Sequence, residues 1–290
     1  MNPLRRFCFA LALLLCTSTP ALADPVLWMA KSPTATIYLF GTVHVLPDAT
    51  QWRYPALDKA LAASGTLYVE EDDDDPVTMQ LLVLQYGMDL QHPLSGKLDA
   101  ADRAQLDAAA KAAGVAGGST TLDAMRPWLA ALTIAVAPIV KAGYDPKSGA
   151  DKQLERAFRT SGNPIGAFET AEQQIKFFAD LSPALQLDLL RNALDDYAEG
   201  PAQIGKLIGY WQSGNVAAIA ENVNGGMREH YPDLYKVLLV ERNQAWARQI
   251  GTLLEGRGTI FVAVGAGHLA GPDSVLVQLR KLGIATERVH

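Results

Sequence analysis

The chain has 290 residues, 49% of them hydrophobic and 19% charged, with 25 basic against 31 acidic side chains and a formal net charge of −6. An acidic balance of this kind argues against nucleic acid or an anionic lipid surface as the partner. Both cysteines, Cys8 and Cys16, fall within the first 23 residues, so the remainder holds no thiol for a cysteine nucleophile, a zinc ribbon or an iron–sulfur cluster.

The first segment reads as an export leader. Arg5 and Arg6 precede an unbroken apolar run over residues 7–16, and Ala21-Leu22-Ala23 forms a small-x-small cleavage site before Asp24. The run is too short to span a bilayer. Cys16 is an alternative lipid-anchor position, disfavoured because the preceding Leu15 is bulky. The expected product is a periplasmic or secreted protein, with residues 24–290 as a single domain. That length is enough for one large core.

Residues 26–30 and 36–40 read as strands, separated by Lys31-Ser32-Pro33. The second is nearly all apolar, as for a strand covered on both faces, and runs straight into Gly41-Thr42-Val43-His44. A helix over 55–63 follows, then a strand over 66–69 ending at Glu70. Helical apolar spacing recurs over 77–86, 100–113, 126–141 and 151–160. The apolar stretch 129–140 contains Pro138 and is bounded by Arg126 and Lys141, which predicts a buried helix rather than a membrane span. Asn163-Pro164 breaks the pattern ahead of a strand over 165–168 that ends at Glu169. Helices then occupy 171–222, interrupted at Ser182-Pro183 and Gly200-Pro201, and one long helix is expected over 233–254. A β-branched strand over 259–264 enters Gly265-Ala266-Gly267-His268. A helix over 272–282 and a strand over 285–289 close the chain. The fold class expected is α/β: a central sheet with strands from both chain ends, flanked by a large helical middle section.

Four of these strands end in a polar side chain: His44, Glu70, Glu169 and His268. In open α/β sheets the carboxyl ends of the strands line the ligand crevice, and Gly41 and Gly265 permit the sharp turns that lift a following histidine over the edge. Two neutral imidazoles and a carboxylate form a donor set suited to a divalent transition ion. An ion with an open position would lower the pKa of a bound water toward neutrality. The residues 37–44 and 260–268 share one design, a buried strand followed by Gly-x-x-His. Farther on, Leu239, Asn243, Trp246, Ile250 and Leu253 fall on one helical stripe, which Asn243 interrupts and Arg242 borders. These two polar residues either tie helix to sheet or steady an oxyanion beside the ion. His92, His230 and His290 have no comparable setting, and no phosphate loop, His-Glu-x-x-His helix, nucleophile elbow or dinucleotide fingerprint is present.

At these residues the chain resembles the TraB/GumN family, related to the Tiki metalloproteases. The matching stretches are Leu39-Phe40-Gly41-Thr42-Val43-His44-Val45-Leu46-Pro47, Tyr68-Val69-Glu70, Arg126-Pro127-Trp128-Leu129, Lys141-Ala142-Gly143-Tyr144-Asp145-Pro146, Gly149-Ala150-Asp151, Phe168-Glu169-Thr170, Glu241-Arg242-Asn243 and Val264-Gly265-Ala266-Gly267-His268-Leu269. The resemblance implies a fold akin to the erythromycin esterases and the haem-binding ChaN proteins. It implies His44, His268 and Glu70 as the site, with Gly41, Gly265, Asp151 and Glu169 in support. It implies metal-dependent peptidase chemistry with manganese or cobalt favoured. A hydrolase of this kind, with manganese, cobalt or zinc, would act on a peptide or small-molecule substrate and use Glu70 as third ligand or general base. Two other readings stay open: a non-catalytic periplasmic binder of metal or haem, and a structural protein of envelope or polysaccharide biology.

Overall fold

The computed structural model describes residues 24–71 and 75–289. The leader at 1–23, with Cys8 and Cys16, therefore lies outside the described residues, as do the aspartates 72–74 and His290. Alternating apolar positions build a six-stranded sheet. Its strands are β1 (Leu27–Lys31), β2 (Ala35–Thr42), β4 (Thr66–Glu71), β6 (Ile165–Glu169), β7 (Gly258–Gly265) and β8 (Thr286–Val289), and a two-residue β3 (Leu46–Pro47) pairs separately with β5 (Tyr144–Asp145). The spatial order is β6-β4-β7-β2-β1-β8. β6, β4, β7 and β2 are mutually parallel, while β1 and β8 run antiparallel at one side. The chain ends thus supply one side of the sheet, as the expected architecture requires.

Successive side chains of a strand face opposite ways, and both faces of this sheet are covered. Phe40, Leu67, Val69, Phe261 and Ala263 face one core, closed by α1 (Pro55–Ala63), α6 (Ala150–Thr160) and α9 (Gly200–Gln212). Ile37, Leu39, Val262 and Val264 face the other, where Trp246 and Ile250 of α13 (Arg242–Leu254) and Val275 and Leu279 of α14 (Val275–Lys281) pack. A separate helical layer joins α3 (Ala100–Ala113), α5 (Pro127–Lys141) and α8 (Pro183–Asp196) through Leu106, Ile134 and Leu190. Among the described residues no helix is long and apolar enough to cross a membrane.

Two local expectations need correction, and a third gains detail. α5 is not buried throughout: Val136 and Val140 are exposed on its outer face. The helix expected over 233–254 is present as one continuous helical run from Pro232 to Leu254, which widens into a π segment over Lys236–Glu241 before α13. α14 begins at Val275 rather than near Pro272, because the Ser274 side chain accepts the Val277 N–H and caps it.

The two Gly-x-x-His strands are neighbours. β2 and β7 run parallel in a register that pairs Ile37 with Ile260 and Thr42 with Gly265. Their close approach depends on Gly41, where a Cβ would sit 2.9 Å from Ala266 Cα. The topology has one further consequence. β7, from the far end of the chain, is inserted between β2 and β4, so the ends of those two strands are two strand spacings apart, about 9.6 Å. Whatever projects from β2 and β4 can meet only above the end of β7.

Candidate functional site

All four parallel strands end at the same edge, which brings His44, Glu70, Glu169 and His268 to one rim. β7 ends there in glycine, and this absence of a side chain lets its neighbours meet. A Cβ on Gly265 would lie 3.1 Å from both His44 Nε2 and Glu70 Oε1 and 3.6 Å from His268 Cδ2. The Gly265 N–H donates to Glu70 Oε1 at 2.6 Å.

Each imidazole is held from behind by its Nδ1. His44 Nδ1 meets Asp151 Oδ2 at 2.9 Å. Asp151 stands at the start of α6, whose Ala150 N–H donates to the Val43 carbonyl at 2.9 Å. Gly149 makes that approach possible, since a Cβ there would lie 2.4 Å from the His44 carbonyl oxygen. For His268 the partner is Asn243 Oδ1, 2.6 Å from Nδ1. The Asn243 amide nitrogen donates to the Asp273 carbonyl at 2.9 Å. That carbonyl can only accept, so Asn243 presents its oxygen to His268, and His268 carries its proton on Nδ1. Trp246 packs against the His268 ring at 4.4 Å between centroids.

With both Nδ1 atoms engaged, both Nε2 atoms are directed at one carboxylate oxygen. His44 Nε2 lies 4.0 Å and His268 Nε2 3.9 Å from Glu70 Oε1. The surroundings of the two rings differ. The His44 side chain is 57% exposed and that of His268 only 9%. Desolvation favours the neutral His44 ring, but the Asp151 hydrogen bond and the charges of Asp151 and Glu70 outweigh it and raise His44 to about 9. Burial, aided by the charges of Arg242 and His44, outweighs Glu70 and pushes His268 down to about 3. Glu70 loses water too, yet the flanking histidines, Arg242 and the Gly265 N–H hold it ionised, down to about 2.

Arg242 is the hub beneath these groups. Its Nη2 donates to Glu70 Oε2 and Glu169 Oε2, both at 2.8 Å. Nε donates to Glu169 Oε1 at 2.9 Å, and Nη1 reaches the Leu238 carbonyl at 3.2 Å and His268 Nε2 at 3.3 Å. All five guanidinium N–H groups thus have acceptors within the protein. The donors of Arg242 are turned to Glu70, Glu169, the Leu238 carbonyl and His268, and Asn243 bridges His268 and the Asp273 carbonyl, so of the two roles open to them the tie between helix and sheet is the one the geometry favours. The π turn over Lys236–Glu241 immediately precedes both residues, the kind of helix interruption that accumulates at functional sites. Glu169 also accepts from Trp246 Nε1 at 2.9 Å, and Thr170 caps the next helix with a reciprocal Gln173 bond that fixes where β6 ends.

Sequence reasoning missed Trp246 as a wall of the site, Gly149, and the cavity in front of it. That cavity of about 220 Å³ is lined by Thr42, His44, Glu70, Glu71, Asp151 and Glu155, among others.

The donor set suits a divalent ion in kind: two imidazole nitrogens and a carboxylate oxygen, each imidazole backed by a hydrogen-bonding partner as metal-bound histidines are. In spacing it is open. Among the described residues, no group of three or more histidine, aspartate or glutamate side chains is drawn to coordination distance. Bonds of about 2.1 Å in tetrahedral array separate donors by about 3.4 Å, so contraction by roughly half an ångström is required.

The sequence model of the TraB/PrgY/gumN family matches residues 26–288. A protein of Treponema pallidum (strain Nichols) is 23% identical over 89% of this chain and 81% of its own length. Protein YbaP of Escherichia coli (strain K12) is 29% identical over 57% of this chain and 60% of its own. Metalloprotease TIKI2 of Danio rerio is 26% identical over 90% of this chain and 60% of its own. The match thus spans about three-fifths of the length of the latter two. No solved structure matches the chain.

Proposed function

The chain belongs to the TraB/PrgY/gumN family, and from that footing we propose that it is a metal-dependent hydrolase of peptides, with His44, His268 and Glu70 as the ligands. The observation that carries this reading is the convergence of two Nδ1-anchored imidazoles, through Nε2, on the single oxygen Glu70 Oε1 at 4.0 and 3.9 Å. A relative bearing the name metalloprotease adds to it. A divalent ion held there would supply Lewis acidity and bring a water's pKa toward neutrality.

The chain's own residues divide the remaining work. His44, half-exposed, faces the cavity from which substrate enters. Asn243 and Asp151 are positioning residues that fix the imidazole orientations. Arg242 holds Glu70 and Glu169 in place. Glu70 serves as ligand through Oε1 while Arg242 occupies Oε2. A haem is disfavoured as occupant, because 220 Å³ falls below even the range of about 300–1,000 Å³ common for drug-sized ligands.

Peptide hydrolysis by the purified protein should disappear in chelator and return with manganese, cobalt or zinc. His44→Ala and His268→Ala should each cost about 10²-fold or more. Turnover unaffected by chelator would contradict this reading. Bound ion without turnover would mark a binding protein.

We place this activity outside the cytoplasm, on the leader pattern of residues 1–23. The protein recovered from the native cell envelope should begin at Asp24; a chain retaining Met1 would contradict this.

A further inference from the structure

His268 stands on one short turn, the 3-10 helix Ala266–Leu269. Little inside that turn fixes its backbone, since the Ala270 N–H reaches the Gly267 carbonyl only at a long 3.3 Å. Asn243 orients the ring from behind, but where the ring sits above the end of β7 is set by the main chain that carries it. That main chain is gripped from outside. The Asn224 amide nitrogen donates to the Gly267 carbonyl at 2.8 Å and to the Ala270 carbonyl at 3.0 Å, so the two bonds bracket His268.

Both acceptors are carbonyl oxygens, which turns the Asn224 nitrogen toward them and commits both of its N–H groups. The amide oxygen, Oδ1, has no hydrogen-bond partner among the described residues and lies beside Gly267, where a Cβ would come within 3.1 Å of it. A buried acceptor without a donor is unfavourable, and the side chain is only 4% exposed. What the amide supplies at this position is therefore the pair of bonds to the turn.

Asn224 reaches the turn because its helix widens there. Ile219 and Asn224 are both buried, although residues five apart on an α-helix point about 140° away from each other. The π segment Ala220–Gly225 draws them toward one face. The second π segment, Lys236–Glu241, directly precedes Asn243. Two widened turns thus accompany the two amides that hold His268, one by its backbone and one by its ring.

We propose that Asn224 is the positioning residue that sets the place of His268, by clamping the turn on both sides of it. The inference rests on the metal-site reading, in which donors must be held to within about half an ångström of the productive geometry. It adds to that reading the residue that keeps Nε2 within reach of the ion.

Asn224→Leu keeps bulk and removes both donors. In the metal-free protein, hydrogen–deuterium exchange read by mass spectrometry should quicken about tenfold or more over residues 266–271, while peptides from β4 and β6 exchange as in the parent. Calorimetric titration with manganese should show affinity reduced by about tenfold or more, the scale seen when an outer partner of a metal ligand is lost. Leu190→Ala, which truncates a buried side chain in the separate helical layer, should lower the melting temperature yet bind manganese as the parent does, so that lost stability is not mistaken for lost positioning. Asn224→Ser, too short to bridge both carbonyls, should move both readouts the same way and serves if the leucine variant does not fold. Parent-like exchange in the turn, or manganese affinity within twofold of the parent, overturns the proposal. A parent that binds no manganese, with exchange still quickened in the variant, would sink the metal reading and leave Asn224 as the clamp on His268; a parent that binds manganese and a variant that binds it equally well would do the reverse.

Discussion

Replacing Arg242 with alanine should destabilise the protein by about 3–5 kcal/mol, the cost of stranding buried charge when one partner of a buried ion pair is removed. The side chain is 11% exposed, and the two carboxylates it holds are 15% and 8% exposed. Neither Glu70 nor Glu169 can gain the water that would replace it. The guanidinium also covers Trp246 at 4.7 Å and Phe177 at 5.2 Å, so packing is lost with charge. Urea unfolding followed by tryptophan fluorescence, for which adjacent Trp246 is a natural reporter, measures the effect; in thermal melts it should appear as a fall on the order of 10 °C. Arg242→Lys should recover only part, because one ammonium cannot reproduce a fork shared between two carboxylates. Adding Glu169→Gln to Arg242→Ala should recover some of the loss by removing one stranded charge. A loss below about 1 kcal/mol, typical of surface pairs, would show that Arg242 is not the hub described.

The opposite behaviour is expected at Gly265. Its alanine variant should unfold close to the parent yet lose metal affinity and turnover by about 10²-fold, the scale seen when supporting geometry around a metal is disturbed. No positive φ is required at this position, so a methyl group adds little backbone strain. That methyl would sit 3.1 Å from both His44 Nε2 and Glu70 Oε1, in the space into which the three donors must contract. Metal titration and melting curves on one preparation separate the effects. An alanine variant that binds metal as the parent does would show that the donors do not close over Gly265.

Much of this was legible in the sequence because the signals are local. Buried strands announce themselves as short apolar runs, and residues at their ends, His44, Glu70, Glu169 and His268, could be marked without knowing the strand order. Asn243 was legible as a polar interruption of an apolar stripe, and it is in fact buried, bonded behind His268. What was not legible depends on distant pairings. Nothing local places β7 between β2 and β4, yet that insertion makes Gly265 the floor of the site. The His44–Asp151 contact joins positions 107 residues apart. The Nε and Nη2 donors of Arg242 go to Glu70 and Glu169, on strands laid side by side only in the fold. The π segment within the helix near residue 236 carries no glycine or proline signature, so the sequence shows the helix over 233–254 but not its local widening.

The most direct test is a count of bound metal. Protein exposed to excess manganese, freed of unbound ion by gel filtration and analysed by elemental mass spectrometry should retain one ion per chain. His44→Ala, His268→Ala and Glu70→Gln should each retain close to none while keeping the parental circular dichroism spectrum. A parent protein that holds no ion under these conditions, or three variants that all hold it as the parent does, would contradict the account.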